Sequence, residues 1–242
     1  MDFSFLFQPA FSGGGIYLDW VISGVKWTLW VSLLAWIIAF TVGSVLGVLR
    51  TTNLRFLRAF ATAYVEVFRN IPLLVQMFIW YFVVPEIVPG NLGMWMKQGM
   101  PMPEFWSAVL ALGFYTASRV AEQVRSGIES IPRGQTHAAL AMGLTLPQVY
   151  RHVLLPMAYR IIVPPMTSEF LTIFKNSSVA LTIGVLELTA QARQISEYTF
   201  RTFEIFIIAT VVYVLITLTV TLVMRAVEKK VRVPGYIGSS GQ

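Results

Sequence analysis

Ionisable side chains set inside apolar stretches mark where this chain could do chemistry. Arg119 and Glu122 stand three residues apart in one such stretch, on one face of a helix. Lys175 and Asn176 interrupt another, with Glu169 about one and a half turns earlier. Asn70 and Gln76 lie at the head of a third. An ionisable residue at mid-bilayer costs about 2.5–3.5 kcal/mol even on permissive insertion scales, so each needs a partner or a water-filled path. The chemistry on offer is recognition rather than bond-making. A guanidinium presents a planar fork matched to a carboxylate, and a carboxylate can receive an ammonium. A packing reading competes at every position. Arg119 and Glu122 could simply neutralise each other, Lys175 could snorkel to the interface, Glu169 could be a packing partner, and Asn70 and Gln76 could bridge helices.

A second chemistry-bearing stretch, AALAMGLTLPQVYRHVLLP at 138–156, is a polar, basic interruption in a very apolar protein. Thr136 to Met142 is Ala-rich and favours a helix, and Gly143 is its natural stop. Thr145 followed by Gln148 predicts a capping box that starts a second helix. Helix, break, helix makes a rigid knob able to transmit force between proteins.

The composition fixes the surroundings of these residues. The chain has 242 residues, of which 56% are hydrophobic and 12% charged. Soluble domains carry about 25% charged residues, so this chain is expected in lipid. It has no cysteine, which excludes disulfides and thiolate metal sites, and its two histidines, His137 and His152, lie just before and within the 138–156 stretch. No metal site is therefore expected. The net charge of +6 is spread between apolar spans rather than gathered with aromatics, a topology signal and not a nucleic-acid one. The first fifteen residues lack a basic start and a small-residue cleavage site, so no removable signal peptide is read. There is no G-x-x-x-x-G-K-S/T phosphate loop, no Ser/His/Asp set and no paired-carboxylate pocket. An ATPase, an intramembrane protease and an acyltransferase all lack machinery here.

A hydrocarbon core of about 30 Å needs roughly 20 apolar residues as helix. The elements that must position the site are accordingly five spans, at about 25–49, 64–84, 105–124, 161–183 and 203–224, in a single all-α transmembrane domain covering 1–242. Gly43 and Gly47, four apart, predict a close helix contact on the first span. Pro164 and Pro165 are read as opening the fourth span. Residues 85–104, with four prolines and three glycines, read as an extramembrane excursion. Trp27, Trp30 and Trp36 read as lipid-facing or packing residues, and 235–242 as a tail. One set of loops holds Arg50, Arg55, Arg58, Arg125, Arg133, Arg151 and Arg160 with the basic tail from Arg225 to Arg232. The other holds Asp2, Asp19, Glu86, Glu104, Glu187, Glu197 and Glu204. Basic loops stay in the cytoplasm, which puts the N-terminus in the periplasm, the C-terminus in the cytoplasm and 137–156 inside, between spans three and four.

The spacing at 138–156 resembles the cytoplasmic coupling loop of ABC importer permeases, written E-A-A, three residues, G, nine residues, I-x-L-P. Here His137 stands for the Glu and Val153 for the Ile. Three more stretches resemble the polar amino acid uptake branch: Phe68 to Gln76 (FRNIPLLVQ), Ala121 to Ile128 continuing through Pro132 to Gln135, and Lys175 to Ser178 (KNSS). The excursion and the coupling stretch are most similar to glutamate/aspartate permease subunits. The resemblance covers about 20–234 and implies alternating access in a core of two permease chains, the second a paralogue, with two ATP-binding subunits. A periplasmic binding protein would deliver glutamate or aspartate in the bacterial inner membrane, and ATP and Mg would reside in the partner subunits. It implies ATPase coupling through His137, Ala138, Ala139, Gly143, Leu144 and Pro156, and it marks Glu122 as a solute contact in its own right. Many relatives carry Tyr or a small residue where Arg119 stands, a departure that suits an anionic side chain. Import of another polar amino acid is the nearest alternative. An ion-coupled secondary transporter is further off, since five spans without an inverted repeat do not match that architecture.

Overall fold

The computed structural model describes residues 3–11 and 15–231. Asp2, Arg232 and the predicted tail at 235–242 lie outside the described residues. The described residues are helical with short connections, and the main helices are α1 (Tyr17–Thr51), α2 (Arg55–Asn70) and α3 (Leu73–Ile87). Then follow α4 (Pro103–Glu129), α5 (Arg133–Ala141), α6 (Leu146–Ile183), α7 (Leu188–Thr199) and α8 (Thr202–Val231).

Among the described residues only α1 and α8 are long and apolar enough to cross a membrane alone; counting each bent pair, α2 with α3 and α6 with α7, as one span raises the number to four. The predicted third span lies within α4, which does not qualify on composition. The reason is its place in the fold. α4 is buried along most of its length by α1, α2 and α6, so protein replaces lipid around it and its surface need not be uniformly apolar.

Small residues let α1 approach α4. A Cβ on Gly43 would stand 2.6 Å from Val120, and one on Gly47 would stand 2.6 Å from Val124 and 2.7 Å from the Ala121 carbonyl. Gly113 faces Ile38 across the same seam. Gly47→Leu is expected to force the two helices apart and cut membrane-inserted protein severalfold, read as abundance after detergent extraction; wild-type abundance would contradict this packing.

The predicted second span, 64–84, is two helices. α2 and α3 meet at 106° because Pro72 has no N–H to continue a helix and pushes Ile71 into extended backbone. The Gln76 side chain bridges the break, donating to the Phe68 carbonyl (2.8 Å) and the Ile71 carbonyl (3.0 Å).

Two other boundaries differ from expectation. Pro164 and Pro165 do not open a helix; they sit inside α6, which already runs from Leu146 through a π turn at Tyr150–Leu154. Internal prolines survive where neighbouring groups take up the freed carbonyls. The expected outer loop at 184–203 contains α7, which packs on α1 and α8. Glu187, expected in that loop, is fully buried as the cap of α7, accepting from the backbone N–H groups of Thr189 and Ala190 and from the Tyr213 hydroxyl. The 85–104 excursion folds into turns at Asn91–Met94 and Trp95–Gly99, tied by Lys97 to Glu86 at 2.6 Å. Trp27 packs edge-on to Phe105 and Trp36 lies against Phe170, whereas Trp30 faces outward.

Candidate functional site: the pathway charges and the coupling knob

The charged residues of α4 do not pair as their spacing suggests. Arg119 turns to α6, where its guanidinium lies 3.4 Å from both carboxylate oxygens of Glu169 and 5.6 Å from the Tyr115 ring centre. Glu122 turns the other way. One of its oxygens meets Arg50 from the end of α1, and the other meets Arg125 one turn along α4. Arg69, at the end of α2, stands 3.7 Å from the same carboxylate. Arg125 also holds Glu129 at 2.5 Å. The self-neutralising Arg119–Glu122 pair is therefore not formed. Each charge instead ties α4 to a different neighbour.

These ties differ in looseness. The Arg50 side chain is 10% exposed and the Glu122 side chain 25%, so their pair is a built-in junction of α1, α2 and α4. The Arg119 side chain is 43% exposed, and its contact with Glu169 is long for a charge-assisted hydrogen bond. Four arginines face three carboxylates across these contacts, leaving one positive charge in excess. The two guanidiniums freest to meet an anion are Arg69, 47% exposed and 3.7 Å from Glu122, and Arg119, 43% exposed and 3.4 Å from Glu169.

The remaining predicted contacts lie apart from this cluster. Lys175 is exposed near the end of the regular part of α6, where the helix tightens to 3-10 geometry over Ser177–Ile183, and Asn176 beside it is half-buried. Asn70 donates to the Glu66 carbonyl within its own helix, and Gln76 holds the α2–α3 break. Glu169 and Arg50 as partners of the α4 charges are what spacing could not show. Glu169 was visible as an intramembrane carboxylate, but Arg50 reads from sequence only as a topology charge.

The second part of the site is the knob at 133–156. α5 ends as predicted: Gly143 has φ +86°, and the N–H groups of Gly143 and Leu144 return to the carbonyls of Leu140 (2.9 Å) and Ala139 (3.2 Å). The Thr145–Gln148 capping box then opens α6, with the Thr145 N–H donating to Gln148 at 2.8 Å. The knob is fastened from beneath. Ala139, Val149 and Leu154 are buried in one apolar cluster with Val120, Val124 and Ile128 of α4, and the Tyr150 hydroxyl donates to the Thr51 carbonyl at 2.9 Å. His137, Ala138, Gly143 and Pro156 are exposed, Leu144 is half-buried, and Met142 projects at 76% exposure. Ala139 thus anchors the knob, and its neighbours present a surface.

A buried base, a protruding apex and a rigid link into α4 make a lever. Comparison with known proteins identifies the family. The family model described as the binding-protein-dependent transport system inner membrane component matches residues 39–233. This chain belongs to that family. The permease is 54% identical over 236 residues to the glutamate/aspartate import permease protein GltJ of Escherichia coli, covering 97% of this chain and 96% of the relative. It is 33% identical to the probable glutamine ABC transporter permease protein GlnM of Bacillus subtilis, covering 91% and 95%. Among solved structures it superposes on an amino acid ABC transporter crystallised with histidines, with a TM-score of 0.75 and 32% identity, over 88% of this chain and 95% of that one. The inward-facing MetNI methionine transporter shares the fold, with a TM-score of 0.72 over 89% and 98% at 21% identity.

The permease is thus an all-α, multi-pass component of an ABC importer in the bacterial inner membrane. In this family ATP is hydrolysed by separate subunits, and a binding protein supplies the solute. The described residues contain no group of His, Cys, Asp and Glu able to hold a metal ion.

Proposed function

We propose that this permease admits acidic amino acids, glutamate and aspartate, along a path beside α4, working with a paralogous second permease chain, two ATP-binding subunits and a periplasmic binding protein. The observation that carries the reading is the exposed Arg119 guanidinium, held loosely by Glu169 within a cluster that has excess positive charge. A solute carboxylate takes the place of Glu169 on Arg119, and the freed Glu169 receives the ammonium. Glu122 adjoins the path, but both its oxygens are committed to arginines, so its part is to keep Arg50, Arg69 and Arg125 in place. Lys175 and Asn176 flank the path further out, Asn70 stands at its edge, and Gln76 shapes it by holding the Pro72 bend. The likeness to a glutamate/aspartate permease supports the same solute class.

In this reading the single domain crosses the membrane five times. The basic ends of α1 and α8 and the knob face the cytoplasm, and 85–104 and α7 face the periplasm. ATP binding closes the partner subunits on the knob around His137, Ala138 and Gly143, and Ala139 and Tyr150 pass the movement to α4 and α1. The test is uptake into vesicles holding the complete transporter. Glutamate entry is expected to need ATP and binding protein, to stop with vanadate and to exceed glutamine entry at least tenfold, the scale of one lost charge-assisted contact. Entry driven by an ion gradient and indifferent to vanadate would overturn the mechanism. Equal glutamine entry would overturn the solute class.

A further inference from the structure

A cavity of about 430 Å³ opens between α1, α6 and α8, away from the charges of α4. Its walls are Trp36 and Phe40 of α1, Val163 and Met166 of α6, and Met224 and Val227 of α8. The lining runs from Met166 to Tyr159 along α6 and from Met224 to Val231 along α8, about 10 Å of each helix. At its mouth stands Arg160, exposed and without an ion pair or hydrogen bond among the described residues. Arg225, Lys229 and Lys230 are exposed on the last turns of α8, outside the lining of the cavity. Glu228 lies on the same stretch, but its carboxylate accepts from the Thr167 hydroxyl at 2.7 Å.

We infer that this groove binds a phospholipid with an anionic headgroup from the cytoplasmic leaflet, its acyl chain filling the cavity and its phosphate on Arg160. Three features favour lipid over a protein segment. The helix that walls the groove has an apolar exterior suited to lipid, since Leu215, Leu218, Leu222 and Val223 of α8 are all more than half exposed. An apolar slot with the exposed Arg160 guanidinium on its lining matches the amphipathic layout of a phospholipid, tail deep and phosphate at the rim. Arg160 also sits four residues before the Pro164–Pro165 step, so its own carbonyl lacks the usual helical donor at Pro164. A bound lipid therefore braces α6 where its backbone is least supported.

The inference rests on the cytoplasmic placement of Arg160 proposed above, but its test does not depend on transport. The complete transporter is placed in nanodiscs of phosphatidylcholine doped with phosphatidylglycerol, washed, and weighed intact by mass spectrometry to count retained lipids. Phosphatidylglycerol is expected to stay on the wild type, and Arg160→Gln to lower its retention about five- to tenfold. Val163→Trp, which fills the cavity without touching charge, is expected to lower it as far, and Arg58→Gln on α2 to leave it unchanged. Equal retention in the wild type, Arg160→Gln and Val163→Trp would overturn the site, and so would equal retention of phosphatidylcholine. The chain has no native cysteine, so Val227→Cys offers a direct check. Its cross-linking to another protein chain would show the groove to be a protein interface and also overturn the inference.

Discussion

Arg119→Met is expected to reduce glutamate uptake by roughly tens- to thousands-fold, the consequence of losing about 2–5 kcal/mol from a desolvated charge contact. The substitution also leaves Glu169, whose side chain is 13% exposed, without its cation. The informative comparison is therefore with Glu169→Gln and with the double variant Arg119→Met/Glu169→Gln. Removing both charges relieves the unpaired carboxylate, so membrane abundance is expected to recover in the double variant. Glutamate uptake is expected to stay lost, with glutamine entry gaining relative to it. Full glutamate uptake at normal abundance in the double variant would reduce the pair to a packing device. Pairing Arg119→Met with Glu122→Gln would not make this comparison, since Glu122 answers to Arg50 and Arg125.

Gly143→Asp is expected to leave the permease inserted and to abolish solute-stimulated ATP hydrolysis and uptake together. Nothing lies within 4 Å of a Cβ built at this position, so the side chain fits the folded chain. The backbone there has φ +86°, which costs an L-residue about 1–2 kcal/mol, less for Asp because its short polar side chain bonds locally. That is small beside the expected effect of a new charge next to the exposed Met142, on the apex proposed to seat in a partner subunit. Abundance near wild type with ATP hydrolysis insensitive to solute is the expected pair of results. Normal uptake in this variant would separate the knob from coupling.

Local features of the chain were legible because their causes are local. Gly143 ends α5 and Thr145 with Gln148 opens the next helix, since both signals act within four residues. The Gly43/Gly47 seam was readable as a close contact, though not its partner, because small residues show that something approaches without showing what. Pro72 was present in the sequence but not read as a 106° bend, because the apolar run continues on both sides of it and hydropathy carries no direction. The prolines of α6 misled in the opposite sense. Pro favours a helix start by φ alone, and whether a helix already exists upstream is decided by the packing of Ala139, Val149 and Leu154 beneath the knob.

Composition and spacing were enough for an all-α membrane protein with a helix-break-helix knob, since lipid solvation and helix capping act on neighbouring residues in the chain. The pairing of charges was a different kind of question. Glu122 has an arginine three residues away on either side along its helix, and spacing alone treats Arg119 and Arg125 alike. Arg50, 72 residues distant, and Glu169, 50 residues distant from Arg119, reach α4 only because glycines bring α1 against it and α6 crosses beside it. The same crossings bury Glu187, hold Gln76 over a backbone break, and leave Arg160 unpaired at the mouth of an apolar groove. Which ions meet is set by helix separation and crossing, and those belong to the packed molecule, not to any one of its segments.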